Sequence, residues 1–202
     1  MRNILRNDLF VISKLIDDHE KILDVGCGNG VLLDFLSKKK SADCRGIEIK
    51  QLGVNQCVKK GLSVIQGDAN FDLEDYPNNA FSTVILSQTI QAMLFPDVVI
   101  KNLIRIGKRA IISFPNFAYW KVRKDFLFSG LMPRNKILPY EWYNTPNIHL
   151  CSIQDFKIFC YKNDVNIIRL ICLNEKGIEM KNNFLSNLLA YQVLFCVSKK
   201  GK

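Results

Sequence analysis

The residues best suited to chemistry sit at turns that follow short apolar runs. Leu23-Asp-Val-Gly-Cys-Gly-Asn-Gly30 joins one such run to a helix, and glycines at 26, 28 and 30 let a ligand approach the backbone with no Cβ in the way. The spacing is G-x-G-x-G, whereas the loop that seats a dinucleotide pyrophosphate reads G-x-G-x-x-G, which argues against NAD or FAD. Glu48 stands 24 residues after Asp24 and ends the next strand, where a carboxylate can accept hydrogen bonds from both hydroxyls of a ribose. Asp68 follows a third strand in Gln66-Gly-Asp-Ala69, placed to accept from an adenine amine. Each has a plainer alternative: a tight strand-helix turn for the glycines, pairing with Arg45 or Lys50 for Glu48, a turn cap for Asp68. Three such features at successive strand ends together describe an adenosine carrying something other than a diphosphate. The candidate binding set is Asp24, Gly26, Cys27, Gly28, Gly30, Glu48, Ile49, Asp68, Ala69 and Ser87.

These residues need a scaffold, and the apolar pattern supplies one. Ile4, Leu5, Leu9, Ile12, Leu15 and Ile16 recur at helical spacing, so an amphipathic helix is expected within residues 1–19. Strands are predicted over 21–25, 45–49, 62–65, 82–86, 109–114, 165–173 and 191–198, with helices over 31–40, 52–60, 97–106, 152–162 and 182–189. Ser152 and Asp155 form an S-x-x-D capping box at the start of the helix 152–162. Seven strands alternating with helices imply a mostly parallel α/β sheet covered on both faces, in one domain of 202 residues. The alternation stops over 115–150, which reads as an insertion without strand or long helix. It holds Pro115, Pro133, Pro139 and Pro146, and the stretch 114–143 carries nine of the twenty-one aromatics. A loop this long is expected to be a lid, a partner surface or a small satellite core.

Composition narrows the class. Hydrophobic residues are 48% and charged residues 23%, which excludes wholesale disorder. No apolar run approaches the length of a bilayer span, and the first eight residues show no secretory h-region, so a cytoplasmic chain with no membrane association is expected. Seven cysteines at irregular spacing, without C-x-x-C and with only two histidines, argue against both a disulfide framework and a metal site. Cys160, Cys172 and Cys196 are expected in the core. The net charge of +9 comes largely from short lysine clusters at helix ends and at the tail. With no RNP motif, zinc finger or KH loop beside them, nucleic acid is not the expected partner.

The acid-and-glycine pattern resembles class I S-adenosylmethionine-dependent methyltransferases from about Lys21 to Ser198, which implies a Rossmann-like fold. In that family the acid before the glycines (Asp24) and the loop hold the methionine part of the cofactor, Glu48 the ribose and Asp68 the adenine amine. A narrower resemblance rests on Ile65-Gln-Gly-Asp68, Val84-Ile-Leu-Ser-Gln-Thr-Ile-Gln-Ala92, Ser113-Phe-Pro-Asn-Phe117, Gly130-Leu-Met-Pro133 and the segment Leu138 to Cys151. These blocks are similar to the MetW family of methionine biosynthesis proteins, which implies support of a MetX-type homoserine O-acyltransferase and binding of S-adenosylmethionine or S-adenosylhomocysteine. The rival expectation is an active small-molecule methyltransferase. Its candidate residues are Ser87 and Gln88, neutral groups after the fourth strand, and His149, which alternatively bonds backbone within the insertion. An N-P-P-[YF] motif is missing after that strand, Ser113-Phe-Pro-Asn116 follows a different one, and no Pro-Cys dipeptide is present, which disfavours methylation of nucleic-acid bases.

Overall fold

The computed structural model describes residues 5–201. The predicted first helix is observed as α1, Asn7–Lys14; Ile4 of its apolar pattern lies outside the described residues. There follow β1 (Lys21–Val25), α2 (Val31–Lys40), β2 (Asp43–Glu48), α3 (Gln51–Lys59) and β3 (Ser63–Gln66). After them come β4 (Phe81–Ser87), α4 (Pro96–Ile106), β5 (Gly107–Pro115), α5 (Trp120–Ser129), α6 (Ile153–Lys162), β6 (Val165–Leu173), β7 (Glu179–Met180), α7 (Ser186–Leu189) and β8 (Gln192–Lys199). The strands form one sheet in the order β3-β2-β1-β4-β5-β8-β6-β7. The first five are parallel; β8 runs antiparallel to β5 and to β6, and β7 antiparallel to β6.

Two expectations change. The sheet has eight strands where seven are predicted, because β7 is a two-residue edge strand, too short to carry a period-two pattern. The 115–150 segment does contain a long helix, α5. Of its residues only Val122 is buried, while Phe126, Leu127 and Phe128 face outward, so the one-sided apolar stripe that marks a helix in sequence is missing.

Residues alternate between the two faces of the sheet. Leu23, Val84, Leu86, Ile112 and Phe114 join α4 and α6 in one core, whereas Ile22, Ile85 and Ile111 meet α1 and α2 in another. In the first core the Phe195 ring stacks on Phe114 at 5.8 Å between centroids and lies 4.5 Å from Phe156. The α6 start is fixed by the expected capping box: the Ser152 hydroxyl accepts from the Asp155 amide and the Asp155 carboxylate from the Ser152 amide. Cys160, Cys172 and Cys196 are buried. Among the described residues no helix is long and apolar enough to cross a membrane.

The chain leaves β1 toward β2 and β3, then returns to β4 on the other side of β1. That reversal opens a crevice at the carboxyl ends of β1 and β4. The aromatic cluster beneath it gives a direct test of the core. Phe195→Ala should lower unfolding free energy by about 3–5 kcal/mol, read from the urea midpoint at constant m-value; a loss under about 1 kcal/mol would mean the rings do not anchor β8.

Candidate functional site

The loop between β1 and α2 is built on left-handed backbone, with φ of +73° at Gly26, +57° at Gly28 and +71° at Gly30. Aligned strand ends latch it. The Ile47 carbonyl accepts from the Gly26 amide at 2.8 Å, and the Glu48 carbonyl accepts from the Gly67 amide at 3.1 Å. The Glu48 carboxylate lies across the same edge, taking the amides of Gly28 at 2.8 Å and Lys50 at 2.9 Å. Glu48 thus bonds the backbone of Lys50, and Arg45 lies beside Asp43. Sequence reasoning missed Gly53 of α3: a Cβ there would stand 2.7 Å from the Gly28 carbonyl oxygen and 2.9 Å from Glu48 Cγ. Its signal was a glycine inside a predicted helix, which only a close packing contact makes worthwhile.

Asp24, Gly26, Cys27, Gly28 and Ser87 line a cavity of about 310 Å³ together with Arg6. Asp24 is only 4% exposed, and among the described residues no donor bonds its carboxylate. Burial pushes its pKa from 3.8 to about 7, partly countered by the Arg6 guanidinium and reinforced by Glu48. The Cys27 thiol is also driven up by burial and by Asp24, so it lines the cavity as a neutral group.

The structure does not bring every candidate to this cavity. Gly30 of the loop and Glu48, which bonds the Gly28 amide, are not in the lining of this cavity. Asp68 takes the turn-capping role, its Oδ1 accepting from the Asn70 amide at 2.9 Å and side chain at 2.7 Å. Ile49 is 57% exposed and Ala69 buried, both next to these strand ends rather than on the cavity. His149 is separated from Ser87 and Gln88. It lines a different, largely apolar cavity with Ile100 and Phe156, and its Nε2 lies 3.4 Å from the Leu94 carbonyl, a backbone contact outside the insertion rather than the one expected within it.

Ser87 stands in a hydrogen-bonded cluster that the sequence did not signal. Its hydroxyl donates to Asp8 Oδ2 at 3.0 Å and receives Ser113 at 3.1 Å and Arg6 at 3.2 Å, while Arg6 and Asp8 form an ion pair at 3.1 Å. Asp8 is buried at the first turn of α1, where an acid reads in sequence as an ordinary partner of the helix dipole. Across this cluster lies a second cavity of about 490 Å³, also bordered by Arg6, with Asp8, Gln88 and Gln91 in its wall.

The raised pKa of Asp24 has a definite sign. The folded state holds the proton more tightly than the unfolded one, so this group's contribution is fully present below about pH 3.8 and is lost as pH rises to about 7. Asp24→Asn removes that loss. Its stability relative to the parent should rise between pH 4 and 7, by at most about 1.4 kcal/mol per pH unit, and level off above pH 8. A pH-independent difference in denaturation would contradict the buried, unpaired carboxylate.

With this geometry in view, comparison with known proteins is informative. The structure resembles an S-adenosylmethionine-dependent methyltransferase from Thermotoga maritima, with a TM-score of 0.68 at 16% identity, covering 95% of this chain and 87% of that one. It resembles the [4+2]-cyclase SpnF as well, with a TM-score of 0.65 at 14% identity, covering 97% and 81%. At that identity both define the fold alone, an α/β Rossmann-like methyltransferase fold. The bifunctional methionine biosynthesis protein MetXA/MetW of Rhodopirellula baltica is 32% identical over 155 residues, 72% of this chain. The chain spans 25% of that relative's length. Residues 6–197 match the family described as methionine biosynthesis protein MetW, and the chain belongs to that family.

Proposed function

We propose that the chain binds S-adenosylmethionine or S-adenosylhomocysteine beside the glycine loop and supports a MetX-type homoserine O-acyltransferase. The observation that carries the partnership is the Rhodopirellula relative, in whose name MetXA and MetW are joined as one bifunctional protein.

The residues present fit the cofactor. A buried carboxylate without a hydrogen-bond donor, Asp24, suits the cationic methionine end, and a Cβ at Gly28 would meet nothing within 4 Å, so that backbone faces open space. Glu48 spends two hydrogen bonds on the loop; its two oxygens offer about four lone-pair sites, which leaves capacity for ribose hydroxyls. Ile49, Asp68 and Ala69 form the side assigned to adenine. When bound, S-adenosylmethionine supplies an electrophilic methyl group. The chain's own residues offer position and charge there rather than a base: Ser87 is engaged by Asp8 and Arg6, Cys27 is neutral, and His149 lies on another cavity. With Asp24 assigned to the methionine end of the cofactor, neither Ser87 nor His149 is left as a free base beside the methyl group, which favours the supporting role over proton-abstracting methyl transfer. The second cavity beside Ser87 favours the rival reading, a small-molecule methyltransferase acting on a nucleophile with no proton to lose.

The acyltransferase-binding surface is assigned to the 115–150 arm. Tyr119, Val122, Ile137 and Leu138 form its own small core, so it is a built element. Outside that core, Leu127 is 76% exposed, Phe128 79%, Trp142 74% and Tyr143 70%, and the three aromatics are types enriched at protein interfaces.

Homoserine acylation by the MetX-type enzyme of the same organism should rise severalfold or more when this chain is added. Trp142→Ala or Phe128→Ser should weaken the complex by about 2 kcal/mol, roughly 30-fold, without changing thermal stability. An unchanged acylation rate with no complex on sizing would remove the partnership. Cofactor binding is checked separately by calorimetry: Glu48→Gln, which keeps one carbonyl acceptor, should weaken S-adenosylhomocysteine binding by about 1–3 kcal/mol. No heat of binding in the parent protein would remove the adenosyl reading and leave the acylation result standing.

A further inference from the structure

Among the described residues, two buried side-chain atoms have no hydrogen-bond partner: Gln88 Nε2 and Gln91 Oε1. Both residues line the second cavity, the one of about 490 Å³. Gln91 is 8% exposed, and the rest of its polar capacity is spent on structure. Its Nε2 donates to the Gln88 carbonyl at 2.9 Å, and its carbonyl accepts the Ile148 and His149 amides at 2.8 and 3.0 Å, docking the arm onto this turn. Gln88 holds a φ of +56°, a conformation uncommon for a residue with a side chain. A strained backbone and two unpaired, buried amide atoms in the wall of a cavity are the pattern expected where a ligand completes the bonding.

The charge around the cavity specifies what that ligand carries. Asp8 is already neutralised by Arg6 and bonded by Ser87. Lys136 borders the cavity and has no ion pair within 4.0 Å among the described residues; Glu175, whose pKa it helps to lower, is bonded to Lys121 and Tyr119. Arg6 uses Nε and Nη2 on Asp8 and Ser87, and its Nη1 has no protein acceptor among the described residues. The cavity therefore presents an unspent ammonium, an unspent guanidinium nitrogen, one amide donor and one amide acceptor.

We propose that this second cavity binds a small carboxylate that also bears a hydroxyl or amino group. The carboxylate lies toward Lys136 and Arg6, the Gln88 amide donates to an oxygen of the ligand, and the ligand's hydroxyl or amine donates to Gln91. The volume lies within the range of small-molecule sites, and the rings of Tyr140 and Tyr191 wall it. The assignment is independent of what fills the cavity beside the glycine loop.

The test is a titration of the full chain followed through the side-chain amide signals of Gln88 and Gln91 in nitrogen-resolved NMR spectra. The probes are 3-hydroxybutyrate, butyrate, which lacks the hydroxyl, and 1,3-butanediol, which lacks the charge. The hydroxy acid should shift both amides saturably, with butyrate at least about fivefold and the diol at least about tenfold weaker. Lys136→Met, at an exposed residue outside any ion pair, should keep the thermal midpoint and weaken hydroxy-acid binding about tenfold or more. The proposal is overturned if the diol binds as well as the hydroxy acid, or if Lys136→Met leaves the affinity unchanged. It is equally overturned if neither amide shifts with any probe up to about 50 mM, which would mean that water alone fills the cavity.

Discussion

The Asp24 carboxylate lies in the middle of a parallel sheet, on a strand paired with Gly46 on one side and Ile85 on the other, with no donor to bond it among the described residues. Its neighbours in the strand, Leu23 and Val25, are wholly buried and apolar, and an apolar residue at position 24 would satisfy packing without any electrostatic cost. The fold holds a titratable carboxyl where its charged form is least stable, and burial raises its pKa to about 7. The turn that follows must be glycine-rich to leave the strand at once, and α1 must begin where Arg6 can approach from solvent. A local conflict of this kind, in an otherwise consistent sequence, is characteristic of a binding site rather than of a core.

Rigidity comes from the edge beside it. Ile47 and Glu48 present one backbone carbonyl and two carboxylate oxygens to the amides of Gly26, Gly28 and Lys50. Gly53 then lets α3 close against the Gly28 carbonyl. The loop is shaped by these bonds. A preformed loop of this kind spends little entropy on binding.

Most of this architecture was legible because its determinants are local. Strand periodicity, the Ser152–Asp155 box and the glycine spacing each act within a few residues, and β6 was placed at Val165–Leu173 from its apolar run alone. What the sequence concealed depends on contacts distant along the chain. Arg6 and Asp8 meet Ser87 some eighty positions away, and nothing in an amphipathic first helix signals that its opening turn faces a strand end. His149 shows the reverse error. It lies within the insertion and so seemed close to the site, but the Ile148 and His149 amides bind Gln91, and the ring lines a different cavity from the one beside the glycine loop. The helix α5 escaped notice because its apolar residues face solvent, so its pattern follows a surface and not a core.

The sheet itself does not specify an activity, since the same fold underlies a methyltransferase and a cyclase at comparable similarity. The discrimination lies in the Arg6–Asp8–Ser87 cluster, which borders both cavities. Methyl transfer from one cavity to the other requires an in-line approach between reacting atoms only a few ångströms apart, so that border would have to open. Recognition in both cavities has no such requirement: occupancy on either side would act on Arg6, which faces each. Arg6 is more than half exposed, with its side chain at 58%, whereas Asp8 is buried at 4%. The solvent-screened partner of the pair is therefore the one that borders both cavities, and the buried partner belongs to the helix. An arrangement of that polarity suits the coupling of two binding events better than it suits a covalent step between them.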